Sequence, residues 1–235
     1  MQNDGTDKLF RQGLIFPQVE FAIFQEINIF ATRMKLVVMT TPTFFVEEDK
    51  ILAALFDEGL DNLHLYKPGA SPVYCERLLS LLPDDCYRYI TVHEHYYLKS
   101  EYDLGGIHLS AASEALPTGY RGNYSRTCTD AESLKTAKKK ARYVFLKDVF
   151  GSSEAGNAET AFTAEQLSEA GRRGLIDKHV YAWGGITVDN IKAAKDMGFG
   201  GVVVCDDLWS RFDIHNETDY KELINHFLRL RKAAG

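Results

Sequence analysis

The sequence predicts a single (β/α)8 TIM barrel, and three observations carry that prediction. From Met34 onward, eight short apolar runs alternate with amphipathic stretches of helical period. The 235 residues, 45% hydrophobic and 26% charged, suit one globular domain with a sizeable core. Near the C-terminus, Val180-Tyr181-Ala182-Trp183-Gly184-Gly185-Ile186 ends in a double glycine, and Gly200-Gly201-Val202-Val203-Val204-Cys205 begins with one. Two such runs, one helix-length apart, read as consecutive parallel strands, the seventh and eighth of a barrel. A doubly wound sheet is the alternative, and the count and order of elements favour the barrel.

The elements follow in order. Residues 1–33 do not share the pattern: Leu14–Phe30 mixes aromatic and branched residues with Glu20, Gln25 and Glu26, which interrupts any signal-peptide core. This stretch reads as an N-terminal extension, either an extra helix or a misassigned start with Met34 as the initiator; no function is placed in it, and the barrel domain spans 34–235. Strands are expected at Leu36–Met39, Leu63–Tyr66, Tyr87–Val92, Ile107–Leu109, Gly122–Ser125, Tyr143–Leu146, His179–Trp183 and Val202–Cys205. Helical periodicity falls at Glu48–Asp57, Pro72–Leu82, His95–Ser100, Thr129–Lys140, Thr163–Arg173 and Val188–Met197, with Tyr220–Lys232 closing the chain. Ser113–Leu116 reads as a short turn. Asp130 and Thr163 stand where helix N-caps belong, and Gly59, Gly174 and Gly198 follow helix ends as C-terminal caps.

Composition narrows the function. The net charge of −6 and the lack of a dense Lys/Arg stripe argue against nucleic-acid binding. Cys75, Cys86, Cys128 and Cys205 form no C-x-x-C pair, so reduced thiols in a cytoplasmic protein are expected. No uncharged apolar run approaches the roughly 20 residues that span a bilayer, so no membrane partner is expected.

In a barrel, chemistry gathers at the C-terminal ends of the strands. Those positions are polar: His64, Tyr66 and Lys67 at the end of strand two, His93-Glu94-His95 at the end of strand three, His108 on strand four, Lys147-Asp148 after strand six, and Asp206-Asp207 after Cys205 of strand eight. The loops after strands seven and eight are where such barrels commonly hold a phosphate, and glycines let backbone N–H groups approach an anion without a Cβ in the way. Gly184, Gly185, Cys205 and Asp206 are therefore the candidate phosphate site, and a small phosphate-bearing molecule is the expected substrate. Two readings of the histidines stand side by side. His93 and His95, with His64 or Glu94, offer donors of the kind zinc prefers. Imidazoles also give and take protons near neutral pH.

The segments Leu63–Lys67, Val92–His95, Gly105–Ser110, Tyr143–Phe145 and Ala182–Ile186 resemble, in order and spacing, the thiamine phosphate synthase family and its relative, thiazole tautomerase. The similarity covers Met34 to the C-terminus. It is most specific in Gly106-Ile107-His108-Leu109 and in the double-glycine pair. The resemblance implies a (β/α)8 barrel, a dimer or trimer, holding a thiazole phosphate through its last two strand loops. It implies a transferase in thiamine biosynthesis, in which the thiazole nitrogen attacks the methylene of a pyrimidine diphosphate as magnesium-bound diphosphate leaves. On this chain Lys67 and Lys147 are the candidate catalytic replacements for the family's cations, and His64, His93, His95 and His108 the candidate acid/base groups. Tyr66, Thr127 and Ser152 become diphosphate or substrate contacts, and Glu94 the magnesium ligand.

The chain departs from the family's pattern at several of these positions. The family's glutamine and arginine on strand two fall on His64 and Tyr66, and its nearby lysine falls on Pro68, one position after Lys67. Its asparagine-aspartate pair falls on His93 and Glu94, its second metal-binding aspartate on Ser113, and the lysine of its threonine-rich loop near Ala155, where Ser152 and Ser153 keep hydroxyls. Its serine after strand eight falls on Asp206, and the tautomerase histidine on Thr129. These changes remove much of the charge neutralisation that a diphosphate leaving group needs. A divergent transferase, a thiazole phosphate isomerase and a non-catalytic phosphate binder are the three readings the sequence leaves open.

Overall fold

Eight parallel strands close into a barrel in strict sequence order, β8 returning to β1. They are β1 (Lys35–Met39), β2 (Leu63–Leu65), β3 (Ile90–Val92), β4 (Gly106–Leu109), β5 (Tyr124–Cys128), β6 (Tyr143–Leu146), β7 (Val180–Trp183) and β8 (Gly201–Val204). The helices are α1 (Glu48–Asp57), α2 (Pro72–Leu81), α3 (Leu98–Glu101), α4 (Ala131–Ala137), α5 (Ala164–Arg172), α6 (Ile191–Asp196), α7 (Asp206–Trp209) and α8 (Lys221–Ala234). This computed structural model describes residues 33–151, 160–213 and 220–235; the extension 1–32 and Ser152, Ser153 and Ala155 lie outside the described residues. Met34–Gly235 forms one unit. Closure excludes the doubly wound sheet.

The alternation of each strand divides its side chains between two cores. Outward residues such as Val38, Leu63, Ile90, Val144, Ala182 and Val202 pack beneath the helices. Inward residues Val37, Met39, Tyr143, Phe145, Tyr181 and Val203 form a second cluster inside the barrel. That inner cluster comes from β6, β7, β8 and β1 only. On β2 to β5 the inward positions are His64, Thr91, His108, Ser125 and Thr127, all buried. The barrel interior is therefore apolar on one half and hydrogen-bonding on the other.

Several boundaries move from the expected positions, each for a local reason. Strand five runs Tyr124–Cys128 and not Gly122–Ser125. Its polar Ser125, Arg126 and Thr127 hide it from an apolar-run reading, because Ser125 and Thr127 face the polar half of the interior while Arg126 donates outward to the carbonyls of Ala112 and Glu114. Asp84–Tyr89, after Pro83, coil into a 3-10 segment, so strand three begins at Ile90. His95 takes a left-handed backbone (φ 53°) that delays the following helix to Leu98. The expected caps form. Asp130 accepts from the Ser133 N–H at 2.8 Å, and Thr163 closes a capping box with Gln166. Gly59, Gly174 and Gly198 adopt positive φ. No described helix is long and apolar enough to cross a membrane.

Candidate active site

Three histidines meet inside the barrel. His64 Nδ1 lies 2.8 Å from His93 Nε2, and His64 Nε2 lies 2.7 Å from the Tyr143 hydroxyl. His108 reaches Ser125 Oγ at 2.8 Å through Nδ1 and Thr127 Oγ1 at 2.9 Å through Nε2. The His93 and His108 rings stack at 4.2 Å and 23°, with His64 edge-on to both. His64 lies on β2, His93 directly follows β3, and His108 on β4 pairs across from Ser125 on β5. Burial holds the His93 imidazole down at about 3, and burial followed by the nearby His93 lowers His64 and His108 well below the usual value. All three imidazoles are neutral at neutral pH.

The fourth candidate histidine stands elsewhere. His95 turns away at its left-handed backbone and its Nε2 lies 2.8 Å from the Ala70 carbonyl. Glu94 sits half-buried on the rim, where it accepts from the Gly69 N–H at 3.0 Å. Lys67 is drawn inward: its ammonium lies 2.6 Å from Glu48 Oε1 and 2.9 Å from the Thr43 carbonyl, and 4.5 Å from the centre of the Phe44 ring. Sequence inspection missed Glu48, which reads as an ordinary acidic residue in the first turn of a helix; only its buried contact with Lys67 reveals it.

The double-glycine loops border a cavity of about 290 Å³ lined by Trp183, Gly184, Gly185, Thr187 and Ser210 and also by the acidic Asp206 and Asp207. Gly184 (φ 99°) and Gly185 (φ 63°) need positive φ, and a Cβ on Gly185 would meet the Phe150 carbonyl at 2.6 Å. Phe150 N–H donates to the Gly184 carbonyl, so the loop after β6 rests on the loop after β7. Asn190 ties the turn from the other side, donating to the Gly185 carbonyl and accepting from the Thr187 N–H. Two acidic residues follow β8. Asp207 is hydrogen-bonded to His226 of α8 at 2.6 Å and paired with Arg211, just past α7, at 3.3 Å. Asp206 is exposed beside Cys205, whose thiol burial pushes up to about 12 and keeps protonated. Lys147 lies 5.8 Å from the Trp183 ring, bringing a cation beside this cavity. The Phe145 ring stands between Trp183 at 6.0 Å and the histidine group at 4.7–4.8 Å.

No family model and no curated protein matches the sequence. Solved structures do. Thiamine phosphate pyrophosphorylase from Bacteroides thetaiotaomicron is 48% identical, with a TM-score of 0.79, covering 86% of this chain and 98% of that one. Thiamine phosphate pyrophosphorylase from Pyrococcus furiosus (19% identity, TM-score 0.66, 86% and 96% covered) and a 3-hexulose-6-phosphate synthase (14%, 0.58, 85% and 99%) share the fold. The double-glycine cavity over the closed eight-stranded barrel, together with an identity of 48% across nearly the whole of the Bacteroides enzyme, shows that the chain belongs to the thiamine phosphate pyrophosphorylase family.

Proposed function

We propose that this protein joins a thiazole phosphate to a pyrimidine diphosphate, the thiazole nitrogen bonding to the pyrimidine methylene as its bond to the diphosphate oxygen breaks. The observation that carries this reading is the glycine-lined cavity above β7 and β8 in a chain of this family. A thiazole phosphate dianion fits that cavity by its chemistry: the turn at Gly184-Gly185 lets backbone N–H groups approach, and the hydroxyls of Thr187 and Ser210 line it. Arg211 beside Asp207 offsets part of the repulsion that the two carboxylates lining the cavity exert on a phosphate. Lys147 beside Trp183 suits the diphosphate, with Tyr66 and Thr127 contacting the pyrimidine side. Glu94 is a hard oxygen donor on the rim and fits magnesium, which when bound would neutralise part of the leaving diphosphate.

One observation favours an isomerase as the second reading: Lys67, just after β2, is sequestered by Glu48 and leaves that side of the rim poor in cation. An isomerase acting on a thiazole phosphate needs the phosphate cavity and a proton-transfer group, not a diphosphate clamp. The decisive experiment mixes the protein with hydroxyethylthiazole phosphate, the pyrimidine diphosphate and magnesium, and follows thiamine phosphate and released diphosphate. Equal yields of both are expected. Tight thiazole phosphate binding in calorimetry with neither product would overturn the transferase and leave the isomerase or a non-catalytic binder.

A further inference from the structure

The histidine group inside the barrel has the donor set of a metal site that the transferase reading does not use. We propose that His64, His93 and His108 bind one borderline first-row divalent cation, of which zinc is the type, through one imidazole nitrogen each.

Geometry comes first. One ring nitrogen from each of the three lies within 4.8 Å of the others, and all three side chains are buried. Zinc–nitrogen bonds of roughly 2.0–2.1 Å in a tetrahedral arrangement place ligand nitrogens roughly 3.3 Å apart. The 2.8 Å contact between His64 Nδ1 and His93 Nε2 therefore needs to open by only about half an ångström as the cation replaces the shared proton. The proton displaced from that contact moves to the other nitrogen of the same neutral ring, so both rings keep one N–H.

The surroundings orient the ligands. Tyr143 holds His64 Nε2, which turns Nδ1 toward His93. Ser125 and Thr127 hold opposite sides of the His108 ring, so either nitrogen can be released to a metal while the other stays anchored. Metal-bound histidines in general carry such a partner on the second nitrogen. Burial also keeps the three imidazoles neutral, so their lone pairs are not competing with protons at neutral pH. The donor set discriminates: three nitrogens in an aromatic-walled interior suit zinc, cobalt or nickel and not magnesium, which demands oxygen. Tyr66, edge-on to His93 at 5.1 Å, stands between this group and the rim. His95, bonded to Ala70, and Glu94, bonded to Gly69, lie outside it.

The test uses full-length, tag-free, chelator-treated protein titrated with Co2+, then Zn2+. The expected result is one Co2+ per chain, intense visible d–d bands of a low-coordinate nitrogen site, and stoichiometric displacement by Zn2+. His93→Ala and His108→Ala should weaken binding by roughly 100-fold or more, beyond what loss of an outer-shell partner alone costs. His95→Ala should leave it unchanged. His93→Gln, which keeps a polar group toward His64, serves if an alanine variant fails to fold. Absence of stoichiometric Co2+ binding in the wild-type protein, or a d–d spectrum that survives in His93→Gln, overturns the proposal. These readouts involve no thiamine-pathway substrate, so they stand or fall apart from the transferase reading.

Discussion

Lys67 shows how one neighbour changes what a residue can do. Its side chain is 1% exposed and that of Glu48 is 2% exposed, and each is held by the other. Burial pushes the Glu48 carboxyl up to about 7 and lowers the Lys67 amine, each against the pull of the opposite charge. Glu48 Oε2 is buried without a hydrogen-bond partner among the described residues, an arrangement that a proton on that oxygen relieves. Removing one member of a buried pair strands the other, so Lys67→Met should destabilise the protein by about 3–5 kcal/mol at pH 8. The carboxyl can escape by protonating. A folded-state value raised above the unfolded one contributes stability at low pH that is lost as pH rises through it. The penalty for Lys67→Met should therefore shrink at pH 6, and urea midpoints at the two pH values check it. An equal loss at both would mean that Glu48 stays charged when unpaired.

At the scale of elements, the loops after β6, β7 and β8 act as one structure. The backbone bond from Phe150 to Gly184 and the side-chain ties of Asn190 leave Gly185 no room for a Cβ. Positive φ at a non-glycine residue costs roughly 1–3 kcal/mol before any clash is counted. Gly185→Ala should lower the thermal midpoint and weaken hydroxyethylthiazole phosphate binding. Gly185→Asp should abolish that binding, since a negative charge then joins the clash. Differential scanning calorimetry and isothermal titration on the two variants separate loop strain from repulsion. Unchanged affinity in Gly185→Asp would overturn the proposal that this loop holds the phosphate. Helix ends follow local rules by contrast: Asp130 and Thr163 cap α4 and α5 as their sequence contexts predict, because a cap depends only on residues three positions away. Strand five was misplaced by its sequence because its inward residues face hydrogen-bonding partners and not an apolar core, so no apolar run marks it.

The whole molecule carries the acid response. His64, His93 and His108 have folded-state values below the ordinary 6.5, His93 at about 3, so between those limits the unfolded chain binds more protons than the folded one. Stability then rises with pH across that window and is lost as pH falls from 6.5 toward 3. Glu48 works the other way between 4.5 and about 7, but it is one group against three. Metal-free protein should therefore lose stability steadily from pH 6.5 downward, and urea unfolding at half-unit steps measures it. A flat profile down to pH 4 would mean that the three rings are already protonated in the folded state.

Much of this protein was legible before any coordinates. The eight strands, the helix caps, the double-glycine loops and the family follow from periodicity, turn chemistry and short motifs, which are properties of neighbouring residues along the chain. The candidate site was legible only in part. Reading each strand by itself put four histidines on one rim; three meet inside the barrel and His95 leaves them, because strand three ends at Val92 and the backbone then turns left-handed. Lys67 reads as a rim cation until Glu48, 19 residues away in sequence, is brought against it. Which side chains touch is set by the stagger of parallel strands and by the closure of β8 onto β1, and those are fixed by packing of the entire barrel. The sequence by itself determined the barrel, its caps and its double-glycine loops, since these need only local chemistry. Tertiary structure alone decided the histidine triad and the buried Lys67–Glu48 pair, since both are contacts between elements far apart along the chain.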